Sequence, residues 1–270
     1  MKTKKIITLI FTIIIAVIAF YQQKHHNLKV TDVTNNEEIA DTIRFNYLPI
    51  STTKQIVKHK YYTLSYDENK EQPEWVAYIL KPNHIKYIDR KRPFFIKDKN
   101  VKTKSADYRN YKKSGYDKGH LCPAGDRRFS KEAFNETFLT SNISPQKHKF
   151  NAGIWNRLEQ KTRYWTKKYG TLYVVTGGVL TDKKLKTIGR EKVAVPKRFY
   201  KILLHKNGDK IKAIAFLIPN KDTNKPLYKF TTTIDNIEKI TGIDFFPALP
   251  DAIENKIEAE NNYKQWSFRY

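Results

Sequence analysis

Residues 116–126 read Y-D-K-G-H-L-C-P-A-G-D, residues 137–146 read T-F-L-T-S-N-I-S-P-Q, and residues 151–159 read N-A-G-I-W-N-R-L-E. These segments gather a histidine, several amides and a carboxylate, with no second cysteine and no cluster of carboxylates. The third segment opens a helical stripe. Ile154, Trp155, Leu158, Trp165 and Tyr169 recur at helical spacing, so a helix is predicted over 151–169, ended by Gly170.

On either side of this stretch the apolar pattern is mostly that of strands. Residues 57–65 and 75–80 are rich in Val, Tyr, Thr and Ile, and the charged run 67–74 between them reads as a turn. A short apolar stretch, 93–96, follows the basic group Arg90-Lys91-Arg92, and 97–118 is polar with loop residues. Residues 171–180 read as a buried strand running into glycines. Asn207-Gly208-Asp209 sits between two apolar runs, 199–204 and 212–218, which is a hairpin signal. Short helices are expected over 234–240, with Thr233 as N-cap and Gly242 as terminator, and over 251–260. The fold class is α+β, with mixed or antiparallel strands and few helices.

The amino-terminal end has a different composition. Lys2, Lys4 and Lys5 precede an uncharged run from Ile6 to Phe20. A basic tip and about 15 apolar residues fit a secretory signal better than a full span, which needs about 20. Phe20, Tyr21 and Gln22 make a poor cleavage site, so an uncleaved membrane anchor is the alternative for residues 1–22. Either way the expected location is secreted or periplasmic, or anchored to the outer face of the cytoplasmic membrane. Residues 23–44 are polar and aperiodic and read as a linker, with His25 and His26 solvated within it. The folded domain is expected over 45–268.

Charge narrows the class of partner. Lys and Arg number 51 against 27 acids, a formal net charge of +24. Such an excess attracts polyanions and gives sequence-independent affinity for phosphate backbones, although an anionic membrane would exert the same pull. With Cys122 as the single cysteine, an internal disulfide and a cysteine-rich zinc site are both excluded.

Phosphodiester hydrolysis needs a water nucleophile, a base to deprotonate it, and a group to carry charge on phosphorus and the leaving oxygen. His120 suits the base role because imidazole titrates near neutrality, and surrounding positive charge favours its neutral form. Magnesium keeps most of its waters and needs few protein ligands, so a neutral amide such as Asn151 suffices. On one regular helix Glu159 would lie about 80° round and about 12 Å along from Asn151, in reach of a metal-bound water rather than the ion. Each of these residues also has an ordinary explanation: a structural loop histidine, a helix cap, a solvated carboxylate, a surface arginine at Arg92. Their ordered combination outweighs those separate explanations.

The combination resembles the DNA/RNA non-specific endonucleases of the ββα-metal type. The family's D-R-G-H appears as Asp117-Lys118-Gly119-His120, its S-N-x-x-P-Q as residues 141–146, and its N-x-x-x-W-x-x-L-E as residues 151–159. W-V-A-Y at 75–78, Arg92-Pro93, T-G-G at 176–178 and T-G-I-D-F-F-P-A-L-P at 241–250 also look like family features. The resemblance implies a ββα-metal core with a central, mostly antiparallel sheet flanked by helices. It implies His120 as general base, Asn151 as ligand of one Mg²⁺ (or Mn²⁺), Glu159 positioning metal-bound water, and Arg92 stabilising the transition-state phosphate. Asn142 would support the site and its substrate contacts; Lys118, Asp117 and Arg90 would contact substrate. Products would be 5′-phosphorylated fragments of DNA and RNA. Two positions depart from the pattern. Lys118 stands for the family arginine and loses the bidentate fork. Cys122 stands for a small residue and is read as a packing group.

The leading expectation is therefore a Mg²⁺-dependent endonuclease without sequence preference. The alternative is a catalytically weak surface protein that binds nucleic acid, as in DNA uptake, and a merely membrane-attached basic protein ranks below both.

Overall fold

The computed structural model describes residues 45–269 apart from Asp209. The expected leader or anchor and the linker lie outside these residues. Among the described residues no helix is long and apolar enough to cross a membrane.

In chain order the elements are β1 (Ile56–Lys58), β2 (Thr63–Asp67), β3 (Gln72–Leu80), β4 (Asp117–His120), α1 (Lys131–Glu136) and β5 (Ile143–Gln146). A π-type turn, Phe150–Trp155, leads into α2 (Asn156–Tyr169). There follow β6 (Leu172–Gly178), β7 (Lys186–Ile188), β8 (Val193–Val195), β9 (Arg198–Asn207), β10 (Lys210–Pro219), β11 (Thr231–Thr232), α3 (Ile234–Thr241) and α4 (Asp251–Ala259). Seven strands form one sheet in the order β1-β2-β3-β6-β9-β10-β11, and every neighbouring pair is antiparallel. β4 pairs with β5 in a separate two-stranded ladder, as does β7 with β8. The α+β expectation, with a mostly antiparallel sheet and flanking helices, matches this architecture.

Several boundaries differ from the sequence reading, each for a local reason. The strand expected over 57–65 is two strands, because His59 N–H donates to Tyr62 C=O at 2.9 Å and turns the chain between them. The stretch 93–96 forms no strand; Ile96 makes a single bridge to Leu139. The helix expected from residue 151 is regular only from Asn156, because Gly153 takes φ −94°, ψ −106° inside the preceding turn. α1 has six residues, too few to show periodicity, and begins at Ser130, whose side chain accepts from Ala133 N–H. β5 carries Pro145, which speaks against a central strand; the two-stranded ladder tolerates it. The hairpin is where the Asn-Gly pair put it: Asn207 faces Lys210 and Gly208 adopts φ +56°. Thr233 caps α3 by accepting from Asn236 N–H, and Gly242 ends it in the left-handed region.

α2 lies across one face of the large sheet and carries the apolar stripe into the core. Leu158 and Trp165 of α2 join Ile154 and Trp155 against Val76, Val174, Phe199, Leu203 and Phe216. Trp165 is enclosed by the rings of Phe216 (6.1 Å), Trp266 (5.0 Å) and Phe268 (5.3 Å), and its indole N–H donates to Ser267 C=O. The carboxy-terminal segment thus closes over the helix that carries Glu159. Trp165→Ala should destabilise the protein by roughly 3–5 kcal/mol, since it opens a cavity between helix, sheet and tail; equilibrium denaturation by urea measures this.

Candidate active site

The site is built on the β4–β5 ladder. Its register sets Asp117 opposite Gln146 and His120 opposite Ile143. A Cβ at Gly119 would overlap the Gln146 side chain, so a larger residue there would displace it. Directly after His120 the chain is tied down by Asn142. Leu121 N–H donates to the Asn142 C=O (2.9 Å), Cys122 N–H donates to Oδ1 (2.8 Å), and Nδ2 donates to the carbonyls of Cys122 and Thr137 (both 3.0 Å). Asn142 is fully buried and its amide is satisfied, so it holds the loop and has no face left for substrate. Cys122 is also buried, and burial pushes its thiol up to about 12, which suits packing and excludes a thiolate nucleophile.

Arg92, His120, Asn151 and Glu159 line one cleft of about 250 Å³, together with Phe134, Phe138 and Arg128. The His120 ring sits between Phe95 (5.4 Å) and Phe138 (5.0 Å), and its Nε2 is buried without a hydrogen-bond partner. Burial first, and the Arg92 charge second, lower its pKa to about 3, so at neutral pH the imidazole is neutral. The Arg92 guanidinium stacks over Phe138 at 5.6 Å on the exposed rim. Arg90 turns away and donates from Nε to the Arg128 carbonyl at 2.7 Å. The Lys118 ammonium lies over Phe95 at 5.5 Å.

Asn151 reaches the cleft from the turn before α2. Its Nδ2 donates to Asp117 Oδ2 at 3.0 Å, and the same oxygen pairs with His148 Nδ1 at 2.9 Å. With the amide NH₂ committed to Asp117, Oδ1 is the acceptor that remains to Asn151. The sequence reading set Asp117 among the substrate contacts; in the structure its Oδ2 orients the Asn151 side chain. The single-helix distance between Asn151 and Glu159 does not apply either. The irregular turn at Gly153 separates them, and both side chains face the same cleft. An oriented amide oxygen beside a half-buried carboxylate and an unpartnered imidazole fits a hard divalent cation that retains most of its water.

Beneath the cleft lies a buried charge network that the sequence reading did not assign. Glu159 is raised to about 7 by burial, with Lys201 and Arg163 pulling it back down. Lys201 stands on β9, fully buried, its Nζ without a hydrogen-bond partner and 4.9 Å above the Trp155 ring. Arg163 donates to Asp126 Oδ1 at 2.7 Å, and Tyr78 O–H donates to Asp126 Oδ2 at 2.9 Å. Arg127, also buried, donates to the carbonyls of Tyr61 and Ile79 and stacks over Tyr78 at 4.6 Å. A signal for Lys201 was present: it interrupts an otherwise apolar strand, F-Y-K-I-L-L at 199–204. Strand alternation places it on the same face as Phe199 and Leu203, toward α2.

A two-stranded ladder with a long connection, followed by a turn and helix that bring an asparagine and a glutamate to the ladder's histidine, defines a ββα-metal nuclease fold. The chain belongs to the DNA/RNA non-specific endonuclease family, whose model matches residues 40–252. It is 37% identical to mitochondrial nuclease EXOG of Danio rerio over 70% of this chain and 61% of that protein. It is 38% identical to the Xenopus laevis EXOG nuclease over 78% of this chain and 63% of that one. Human mitochondrial endonuclease G is 33% identical over 72% of this chain and 70% of its own length. Among solved structures, the crystal structure of the EndoG/EndoGI complex superposes with a TM-score of 0.67 at 31% identity, covering 72% of this chain and 86% of that one. The chain spans about three fifths of the EXOG relatives it matches.

These relatives correct the expected location. EXOG, endonuclease G and a Saccharomyces cerevisiae relative are all named as mitochondrial nucleases, which overturns the secreted, periplasmic or outer-face assignment. The physical reason is that a basic tip and an apolar run state an affinity for membranes without specifying which membrane.

The Glu159 environment gives a pH test. Between its ordinary value and about 7 the folded protein holds a proton that the unfolded chain has lost, so this group's contribution to stability falls as pH rises through that window. His120 changes stability in the opposite direction and is common to both proteins. Without divalent metal, Glu159→Gln should therefore gain several degrees of melting temperature relative to the parent at pH 8 and little at pH 4.5. Thermal melts in EDTA at the two pH values measure it.

Proposed function

We propose that this chain is a metal-dependent endonuclease that hydrolyses DNA and RNA phosphodiesters without sequence preference, leaving 5′-phosphorylated fragments. The observation that carries the reading is the convergence of His120, Arg92, Asn151 and Glu159 on one cleft, with Asp117 orienting the Asn151 amide. The net charge of +24 supports a polyanionic substrate held through its backbone, and phosphate contacts carry no base information.

Asn151 Oδ1 would hold Mg²⁺, or Mn²⁺ in its place, and Glu159 a water of its shell, so that when bound the ion supplies charge to stabilise the phosphorane and the leaving 3′-oxygen. His120 takes the proton from the attacking water. Its lowered pKa keeps it unprotonated in the free protein, and an incoming phosphate offsets the Arg92 charge, which makes the imidazole more basic as substrate docks. Arg92 then meets the phosphate as negative charge builds on it, at the rim of a cleft walled in part by Phe134 and Phe138. Asn142 keeps the loop after His120 from shifting, and Asp117 keeps the Asn151 oxygen directed into the cleft.

His120→Ala should lose roughly 10²–10⁴ in rate or more in plasmid digestion, and EDTA should abolish cleavage by the parent protein. A His120→Ala protein that digests plasmid at the parental rate would overturn the base assignment. Asp117→Ala, which frees the Asn151 amide, should weaken the apparent Mg²⁺ affinity roughly 10–100-fold with a smaller change at saturating metal; titration of cleavage rate against Mg²⁺ reads this out.

A further inference from the structure

Eight large hydrophobic side chains are exposed among the described residues, and four of them, Tyr87, Ile88, Phe94 and Ile96, fall within ten residues. Tyr87 is 96% exposed and Phe94 88%. Scattered apolar residues need no explanation, but a cluster of this kind marks a binding surface. The same ten residues carry Arg90, Lys91 and Arg92, offset only by Asp89.

This segment is the rim of the cleft. Arg92 lines the cleft, and two residues later Phe94 points outward while Phe95 points inward onto the His120 ring. The backbone beyond is fixed by Ile96, whose N–H donates to Phe138 C=O and whose C=O accepts from Thr140 N–H. The other end is fixed by Arg128, a second cleft residue. Its Nη1 donates to the Ile88 carbonyl at 2.8 Å, its backbone carbonyl accepts from Arg90 Nε, and its guanidinium lies over the Tyr87 ring at 5.8 Å. Both aromatic rings are thus held on an anchored strap beside the cleft, Phe94 largely exposed and Tyr87 open on the face away from Arg128.

We propose that Tyr87 and Phe94 form a stacking platform for unpaired nucleobases, making single-stranded nucleic acid, or a locally unpaired strand, the preferred substrate of this nuclease. Bases in a duplex are already stacked and paired and cannot lie on a protein ring, whereas a single strand offers a free face to each aromatic side chain. Lys91 and Arg92, on the same strap, would hold the phosphates beside the stacked base. The inference rests on the nuclease reading for its substrate, but its central claim concerns binding and is tested without cleavage.

The experiment measures the affinity of the full protein, in a His120→Ala background, for a fluorescent oligothymidylate and for a blunt DNA hairpin. Tyr87→Ala/Phe94→Ala should weaken oligothymidylate binding roughly 5- to 100-fold, with a much smaller loss for the hairpin. Tyr87→Trp/Phe94→Trp should restore affinity, and its tryptophan emission should be quenched by the oligonucleotide. Equal losses on both substrates, or no loss, would overturn the platform. So would an alanine variant that keeps oligothymidylate affinity but no longer binds phosphatidylserine vesicles, which would assign the strap to a lipid surface. If the parent protein fails to cleave any nucleic acid while these affinities behave as expected, the nuclease reading fails and the platform stands.

Discussion

The four-residue pairing of β4 with β5 is the constraint on which the site depends. It fixes Asp117 at one end of the ladder and His120 at the other, and it delivers the chain into the turn that carries Asn151. Because side chains alternate along a strand, a slip of one residue would turn His120 away from the cleft and break the Asp117–Asn151 bond together. Several features protect this register. The Gln146 side chain fills the space left by the missing Cβ of Gly119, and the saturated amide of Asn142 pins the first residues after His120. A short ladder with one proline-bearing strand would be weak alone; here β5 is buried throughout and the loop after His120 is tied to Asn142, the residue before it.

The second requirement is electrostatic. A carboxylate in an apolar cleft tends to take up a proton, and the role proposed for Glu159 toward a cation's water needs it ionised. The protein answers with buried positive charge: Lys201 from the sheet and Arg163 one turn along α2, the latter paired with Asp126. Leaving charges without water is costly, so this network is a place where stability is given up for a functional arrangement. Its members come from β3, β9, α2 and the loop after His120, and the large sheet is what brings them together. The sheet therefore does more than support the helix; it supplies part of the field inside the cleft.

The family motifs and the exposed strap occupy neighbouring parts of the cleft. The histidine, amide and glutamate of the cleft lie on the motifs by which the chain resembles its family. The strap that carries Tyr87 and Phe94 lies outside those motifs, except at Arg92-Pro93, and it presents the most exposed large hydrophobic side chains among the described residues.

Much of this protein was legible in its sequence. Residue spacing alone determined the α+β class, the Asn-Gly hairpin, the Thr233-to-Gly242 helix and the apolar stripe of α2, because these are local properties of periodicity and backbone propensity. The ordered motifs singled out His120, Asn151, Glu159 and Arg92. Tertiary structure alone decided the rest. The kink at Gly153 replaced a regular helix and so changed how Asn151 and Glu159 share the cleft. Asp117 became an orienting group and Asn142 a buried tie once their hydrogen-bond partners, distant in sequence or across the ladder, were in place. Lys201 looked like an interruption in a strand until the sheet face it occupies was known. Spacing reports which side chains share an element, but charge, burial and hydrogen bonding act through space, and the distances that govern them exist only in the folded chain.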